Sequence, residues 1–488
     1  MSIQLNRIGN WINGRLAEPE QDAWIEKFNP HTGELSSLVA NSSDADVCAA
    51  IDAARAAFPA WSETPPVRRG QVLSAIAAVM KARAAEIADC IAVETAKPPM
   101  DATGETGGAI LQAEYFAGEG MRLHGRSLTS GVAGKHSHTI RQPHGVAGLI
   151  VPANTPIANI TWKVFPALIC GNSVVLKASE DSPRIALLFA ELTTQAGLPN
   201  GILNVIQGRG DHAGAALVRN AGVDVISFTG STGVGRWIAE AAGRRLTRVS
   251  LELGGKNPFV VCDDADIEKA VHWAKLSAFS NAGQRCASGS RILVFADVYD
   301  QFVEEFVRAA KGLKLGVDPN CDLGPVINKR QQTNILAAID HARNEGGRVL
   351  CGGRAPEGAE LSAGYYVEPT VVEGLQPTAV LSCHEIFGPV ASLHRVETMQ
   401  EALDIANATD YGLTAAIHTR SVDRAMWFAQ RVRTGVANIN LGTFGSEPHM
   451  PFGGLGVSGN GTREPGLEAL DVYSELKNIS FLTRSDLI

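Results

Sequence analysis

The sequence predicts an α/β protein on mainly parallel sheets, with two consecutive α/β units and a β-rich accessory part. Three observations carry this prediction. Between Gly145 and Glu252 short apolar runs alternate with helical windows, the pattern of βαβ units. The alternation restarts at Pro258, and two segments outside it, Arg126–His144 and Asp471–Phe481, read as a protruding hairpin and an edge strand. At typical domain sizes of ~100–200 residues, the 488 residues of the chain make about three compact units.

In chain order, residues 44 to 120 are dominated by helical periodicity, as in the Ala-rich stretches Asp44–Phe58 and Val72–Met80, and form a helical packing layer. The strands of the first unit are Val146–Val151, Val174–Lys177, Ile202–Ile206, Val223–Phe228 and Val249–Glu252. The helices between them are Arg184–Ala196, Asp211–Asn220 and Val234–Ala242, the first opened by Ser182-Pro183, a good helix start. The second unit begins with the strand Pro258–Cys262, the helix Asp266–Phe279 and the strand Arg291–Phe295. The tail strand at Asp471–Phe481 needs a pairing partner, for which another subunit is one source.

Composition excludes several functions. Lys plus Arg number 43 against 51 for Asp plus Glu, a formal charge of −8, which repels nucleic-acid backbones and anionic lipid. No apolar stretch reaches the ~18 residues of a membrane span, and the first residues lack the apolar core of a secretory signal, so a cytoplasmic protein is expected. The eight cysteines are dispersed, with no Cys-x-x-Cys pair, which argues for free thiols and against zinc or a disulfide framework. Cys383-His384 and His136-Ser137-His138 lack companions at ligand spacing, so no metal is expected.

The strand Val223–Phe228 runs into Thr229-Gly230-Ser231-Thr232-Gly233-Val234-Gly235 and then a helix. Strand, Gly-rich turn and helix N-terminus together present N–H groups and the positive end of the helix dipole to a phosphate. The spacing G-x-x-G-x-G differs from the usual dinucleotide fingerprint, and a tight connection without ligand is the competing reading. Gly208, Gly210 and Gly214 upstream are taken as a turn. Lys177-Ala178-Ser179-Glu180 closes another strand at its carboxyl end, where open α/β sheets bind ligands. There Lys177 and Glu180 suit ribose hydroxyls, and the carboxylate would repel a 2′-phosphate, favouring NAD over NADP; a surface ion pair reads equally from the tetrapeptide alone.

Asn281-Ala282-Gly283-Gln284-Arg285-Cys286 places a cysteine in a small-residue loop between a helix and a strand, where turn N–H groups can bind an oxyanion. Any single cysteine is more often an inert core thiol. Leu251-Glu252-Leu253-Gly254-Gly255-Lys256 ends a strand with a carboxylate in apolar surroundings, which raises its pKa toward general-base use; pairing with Lys256 is the alternative. Asn154, between Pro152 and Pro156, is a rigid neutral donor for an oxyanion, or a turn residue that caps backbone.

Taken together and in order, Asn154, Lys177–Glu180, Phe228–Gly235, Glu252–Pro258, Gly283–Cys286, Glu385-Ile386-Phe387-Gly388-Pro389-Val390 and Pro451-Phe452-Gly453-Gly454 resemble the aldehyde dehydrogenase superfamily across nearly the whole chain. The resemblance implies an aldehyde dehydrogenase-like fold: an NAD-binding domain (residues 1–122 and 144–253), a catalytic domain (254–465) and an oligomerisation extension (123–143 and 466–488) that builds a homodimer or homotetramer. It also implies roles for individual residues. Cys286 matches the nucleophile, Glu252 the general base, Asn154 with the Cys286 N–H the oxyanion hole, and Lys163 a supporting position. Lys177 and Glu180 match adenosine-ribose contacts, Gly230, Ser231, Gly235 and Leu253 the turn and wall beside the pyrophosphate and nicotinamide, and Glu385 with Phe387 the nicotinamide ribose. Trp162, Phe452 and Arg285 stand where substrate would lie. The sequence departs from the family pattern at Ala153, often Trp, at Ala178, often Pro, and at Gly456, commonly Lys.

The implied chemistry is oxidation of an aldehyde to its acid with NAD, NADP being less favoured. Cys286 attacks the carbonyl, hydride leaves to the nicotinamide, and Glu252 activates the water that releases the thioester. Arg285 and the space beside Ala153 suit a small aldehyde carrying a carboxylate. A non-catalytic NAD-binding scaffold and a cofactor-independent cysteine esterase are the competing classes.

Overall fold

The computed structural model describes residues 6–358 and 360–483. The first α/β unit is a seven-stranded sheet in the spatial order Arg248–Glu252, Val225–Thr229, Val146–Ile150, Ser173–Lys177, Leu203–Ile206, Asn10–Ile12, Arg15–Ala17. The first five strands are mutually parallel, and the N-terminal pair closes the edge antiparallel. Val146–Ile150 and Ser173–Lys177 are buried at every residue, as parallel strands covered on both faces must be. One face carries the helices Pro66–Ala82, Ala84–Thr95, Pro99–Gly118, Pro156–Cys170 and Pro183–Gln195, packed around Phe116, Phe165 and Phe189. The other carries Asp44–Glu63, Ala215–Arg219 and Thr232–Gly243.

The chain runs from Val146–Ile150 outward through Ser173–Lys177 to Leu203–Ile206, then returns to lay Val225–Thr229 on the opposite side. Neighbouring loops therefore diverge at the carboxyl ends of Val146–Ile150 and Val225–Thr229, and a crevice opens there. Pro152, Asn154, Thr229, Gly230 and Ser231 all sit at this switch point.

The second unit repeats the architecture, with the order Arg348–Cys351, Thr370–Glu373, Val390–Val396, Arg291–Phe295, Pro258–Val261, Thr414–His418, Val436–Ile439. All neighbours are parallel except the Arg348–Cys351 edge. Ser474–Leu482 pairs antiparallel along its full length with Lys135–Pro143, which also pairs with Ser127–Leu128. The tail strand thus finds its partner within its own chain; what it leaves unpaired is its outer edge, carrying the exposed Leu476, Ile479, Phe481 and Leu482. The tail beyond Thr483 lies outside the described residues.

One local reading needs correction. The segment Asp211–Asn220 is not one helix but a π-helical turn, Gly210–Gly214, continuing into the short helix Ala215–Arg219. The N-terminal strands, including Trp24–Phe28 and Leu35–Ala40, are short and part-exposed, and too brief for their periodicity to show in the sequence.

Candidate active site

A cavity of ≈ 500 Å³ lies between the two units, walled by Asn154, Trp162, Glu252, Leu253, Cys286, Glu385, Phe387 and Phe452, with Gly230 and Ser231 at one end. A second groove shares Pro152, Thr229, Gly230 and Ser231 with it and runs on to Lys177, Glu180, Trp237 and Arg330. The two form one cleft along the switch point, long enough for an extended ligand.

At the groove end, Ser231 occupies the position before the helix Thr232–Gly243, and its side chain makes no capping bond, so hydroxyl and helix N-terminus both remain open to an anion. Lys177 Nζ lies 3.0 Å from Glu180 Oε2. Burial works against the Glu180 charge, but Lys177 and backbone N–H groups outweigh it and hold the carboxyl below its ordinary range. Gly210 and Gly214, read from sequence as a turn, also wall this groove. Gly235 does not: a Cβ there would meet Leu253 Cδ2 at 2.6 Å, so it serves helix-to-strand packing.

At the other end, Cys286 sits on a loop whose backbone is bent through three consecutive left-handed residues, Asn281 (φ 53°), Ala282 (φ 53°) and Gly283 (φ 67°). For the two residues with a Cβ this costs about 1–2 kcal/mol each, offset by local hydrogen bonds. Gln284 Oε1 accepts from the Ile327 N–H at 2.9 Å, and Asn257 Nδ2 donates to the Cys286 and Ser288 carbonyls at 2.8 and 2.9 Å. Burial pushes the Cys286 thiol up to about 12, the Glu385 and Glu252 carboxylates add to this, and the Ala287 N–H and Arg285 oppose it. Asn154 Nδ2 donates to the Gln284 carbonyl at 2.9 Å, and its second N–H, beside the Cys286 loop, has no partner among the described residues.

Glu252 ends its strand buried, and neither carboxylate oxygen has a hydrogen-bond partner among the described residues. Its pKa stands well above the ordinary range, chiefly from burial and then from the nearby Glu464, with Lys163 and Arg463 opposing. The sequence alternative, a pair with Lys256, does not form. Glu385 is likewise raised by burial to about 7, and its Oε1 accepts from the Gly255 N–H at 3.3 Å. A Cβ at Gly254 would collide with the Glu385 carboxylate, so the glycine is required for this approach.

Lys163 is not at the cavity wall. Its ammonium is buried 2.7 Å from both Ser227 Oγ and Glu464 Oε2. Glu464 in turn accepts from the Ser227, Ser250 and Tyr473 hydroxyls. Sequence reading gave Glu464 no role, since a carboxylate beside a proline in a polar loop resembles any surface residue. Trp162 and Phe452 meet edge to face at 5.5 Å over the cavity. Arg285 lies outside the cavity wall, with its guanidinium 5.1 Å over the Phe444 ring and its buried Nε unpartnered. Phe444, also missed, packs with Cys286, Trp162 and Phe452 in one aromatic cluster. His136 stacks on Phe481, and no group of three metal-binding side chains occurs among the described residues.

The aldehyde dehydrogenase family model matches residues 16–479. The chain belongs to the aldehyde dehydrogenase family. It is 36% identical to α-ketoglutaric semialdehyde dehydrogenase of Bacillus subtilis, covering 96% of this chain and 97% of that one. It is 38% identical to betaine aldehyde dehydrogenase of Mesorhizobium japonicum, over 96% of each. Among solved structures, PnpE in complex with nicotinamide adenine dinucleotide superposes with a TM-score of 0.95 at 38% identity, covering 97% of both chains. The resemblance read from motifs thus extends to an aldehyde dehydrogenase fold along nearly the whole chain, and the chain is an oxidoreductase of this family. Among the described residues, no helix is long and apolar enough to cross a membrane.

Proposed function

We propose that the protein oxidises an aldehyde to its carboxylic acid with NAD, through a hemithioacetal and a thioester on Cys286. The observation that carries the reading is that one cavity brings together a cysteine, an unpartnered buried carboxylate and an amide with a free N–H, and opens into the switch-point groove. The residues along the cleft fit a dinucleotide. Lys177 and Glu180 take the adenosine ribose, Ser231 and the helix start take the pyrophosphate, and Glu385 takes the second ribose; NAD when bound supplies the hydride acceptor. The NAD complex of PnpE supports this choice of cofactor.

The Cys286 thiol gives its proton to water in the cleft, and the thiolate sulfur attacks the carbonyl carbon, whose π electrons move to oxygen. The oxyanion that forms accepts hydrogen bonds from the free Asn154 N–H and the Cys286 N–H, which makes no other hydrogen bond among the described residues. With negative charge on that oxygen the carbon releases hydride readily. Glu252, once ionised, takes a proton from water as the water attacks the thioester, and thiol and carboxylic acid separate. Trp162 and Phe452 give the carbonyl an aromatic wall.

The substrate in this reading is a small aldehyde bearing a carboxylate. Arg285 supports it with a buried Nε–H that has no partner and lies in the aromatic cluster around Cys286. The likeness to α-ketoglutaric semialdehyde dehydrogenase points the same way, whereas the uncharged walls Thr155, Ala158, Trp162 and Phe452 favour neutral aldehydes. NADH absorbance with NAD and a panel of semialdehydes and neutral aldehydes of equal length tests both parts. No NADH with any aldehyde removes the activity, and higher kcat/KM for the neutral series removes the carboxylate.

Self-association into a dimer or tetramer through the extension is proposed on the exposed Leu476, Ile479, Phe481 and Leu482 at its unpaired edge. Sedimentation of the full chain reads the oligomer size.

A further inference from the structure

We infer that Lys97 is a positioning residue for the oxyanion donor, acting with Glu105 and Asn281 through the main chain of Asn154. The inference rests on the oxyanion role proposed above for Asn154. Lys97 lies in the turn between the helices Ala84–Thr95 and Pro99–Gly118, more than fifty positions before the residue it grips. Ala96 ends the first helix in the left-handed region (φ 55°), and Pro98-Pro99 stiffens the entry to the second. The Lys97 ammonium is thereby buried, with Glu105 Oε2 at 2.7 Å and the Asn154 carbonyl oxygen at 2.8 Å.

The other Glu105 oxygen accepts from the Ile157 and Ala158 N–H groups at 3.0 and 3.4 Å, which are among the unpaired donors at the start of the helix Pro156–Cys170. One ion pair therefore grips residues 154 to 158 at both ends. Asn281 Nδ2 adds a second donor to the Asn154 carbonyl at 3.1 Å, and it also reaches the Gln284 carbonyl at 3.3 Å, the acceptor to which Asn154 Nδ2 donates. The result is a closed ring joining the loop of the first unit to the strained loop that carries Cys286. Within it, one Asn154 N–H is tied and the other has no partner among the described residues.

A buried ion pair is a poor device for stability alone, because apolar side chains of the same size usually serve as well. Fixing a donor within a fraction of an ångström is a different task, and a misplacement of 1 Å at a reacting centre costs about a hundredfold in rate. The Lys97–Glu105 pair holds a main-chain carbonyl and main-chain N–H groups on either side of the donor, which is what such fixing requires.

The test compares Lys97→Met, Lys97→Arg, Asn281→Gly and Asn154→Ala, alone and with Asn154→Ala as background, in the full chain. Glycine at 281 keeps the left-handed backbone while removing the amide. Lys97→Met is expected to lower kcat about tenfold to a hundredfold with KM for NAD unchanged. It should also expose a primary isotope effect with C1-deuterated aldehyde, because hydride release then limits turnover. Alkylation of Cys286 by iodoacetamide should stay at the wild-type rate, and Lys97→Arg should recover most of kcat. Asn281→Gly should repeat the pattern more weakly, and it carries the test should Lys97→Met fail to fold. In the Asn154→Ala background each change is expected to cost less than about twofold.

Full turnover by Asn154→Ala would remove the oxyanion reading and this inference with it. An impaired Asn154→Ala on which the Lys97 and Asn281 changes still multiply, or singles that turn over normally, would remove the inference alone.

Discussion

Glu180 and Glu252 stand at opposite ends of one cleft, each at or just beyond the carboxyl end of a parallel strand of the same sheet. Glu180 is 35% exposed in its side chain and paired with Lys177, and its carboxyl lies below the ordinary range despite partial burial. Glu252 is buried without a hydrogen bond, and its carboxyl lies well above that range. The difference teaches that one residue type at equivalent strand ends is held ionised by giving it partners and poised to take up a proton by withholding them, which suits the binding and base roles proposed above. Cys286 is likewise raised by burial, with only the Ala287 N–H and Arg285 opposing, and Glu464, with Lys163 and three hydroxyls around it, shares the first condition while deeply buried. Partners rather than depth therefore separate the two kinds of site.

The largest effects belong to the end without partners. Cys286→Ala is expected to lower NADH formation at least about a thousandfold while NAD affinity, read by ligand fluorescence, is unchanged. Sustained turnover in that variant would break the comparison, because the reactive end would not need its thiol. The raised thiol makes a further point. Burial and the two carboxylates favour its protonated form at neutral pH, and the positive charge that the nicotinamide of NAD would bring to the cavity would favour the thiolate. Alkylation by iodoacetamide should therefore speed up with pH and with added NAD.

Glu252→Gln is expected to keep the first hydride transfer as a burst and to lower steady turnover about a hundredfold to ten-thousandfold. The sign of the pH dependence comes from the raised pKa. The carboxyl is neutral below that pKa and becomes a base above it, so thioester release by the wild type climbs with rising pH. In the Gln variant that climb should vanish. A climb that persists unchanged would assign the base to another group.

Glu464→Gln tests depth without reactivity. It leaves the buried Lys163 ammonium short of its carboxylate, for a loss of about 3–5 kcal/mol in unfolding free energy by denaturant titration. A loss under about 1 kcal/mol would show that Glu464 is as dispensable as a surface acid, and the contrast with Glu252 would dissolve.

The sequence disclosed the strand–helix alternation because Val146–Ile150 and Ser173–Lys177 are continuous apolar runs, and continuous burial leaves that mark. It disclosed Cys286, Glu252 and Asn154 through neighbouring small residues and prolines, and through the order of motifs along the chain. It did not disclose what lies between motifs. Lys97, Glu105 and Glu464 are ordinary charged residues in sequence, and only folding brings them against Asn154 and Lys163. Gly235 misled in the opposite direction. Adjacency to a motif suggested a ligand, whereas the glycine packs on Leu253.

The smallest expected effect lies at the end that has partners. In the proposed reading, Glu180→Ala removes an acceptor for two ribose hydroxyls and the charge that opposes a 2′-phosphate, while Lys177 stays beside the groove. KM for NAD should rise about tenfold, the scale of one charge-assisted hydrogen bond, and KM for NADP should fall, with kcat nearly unchanged for both. Because the Glu180 carboxyl is held low, it remains ionised throughout the neutral range, so the wild-type preference between the two cofactors should be flat from about pH 7 to 8, above the second ionisation of the 2′-phosphate at about 6. A preference that changes steeply in that interval would mean that the controlling group titrates there. Glu385, raised to about 7 in the cavity, would then be the group to replace with Gln.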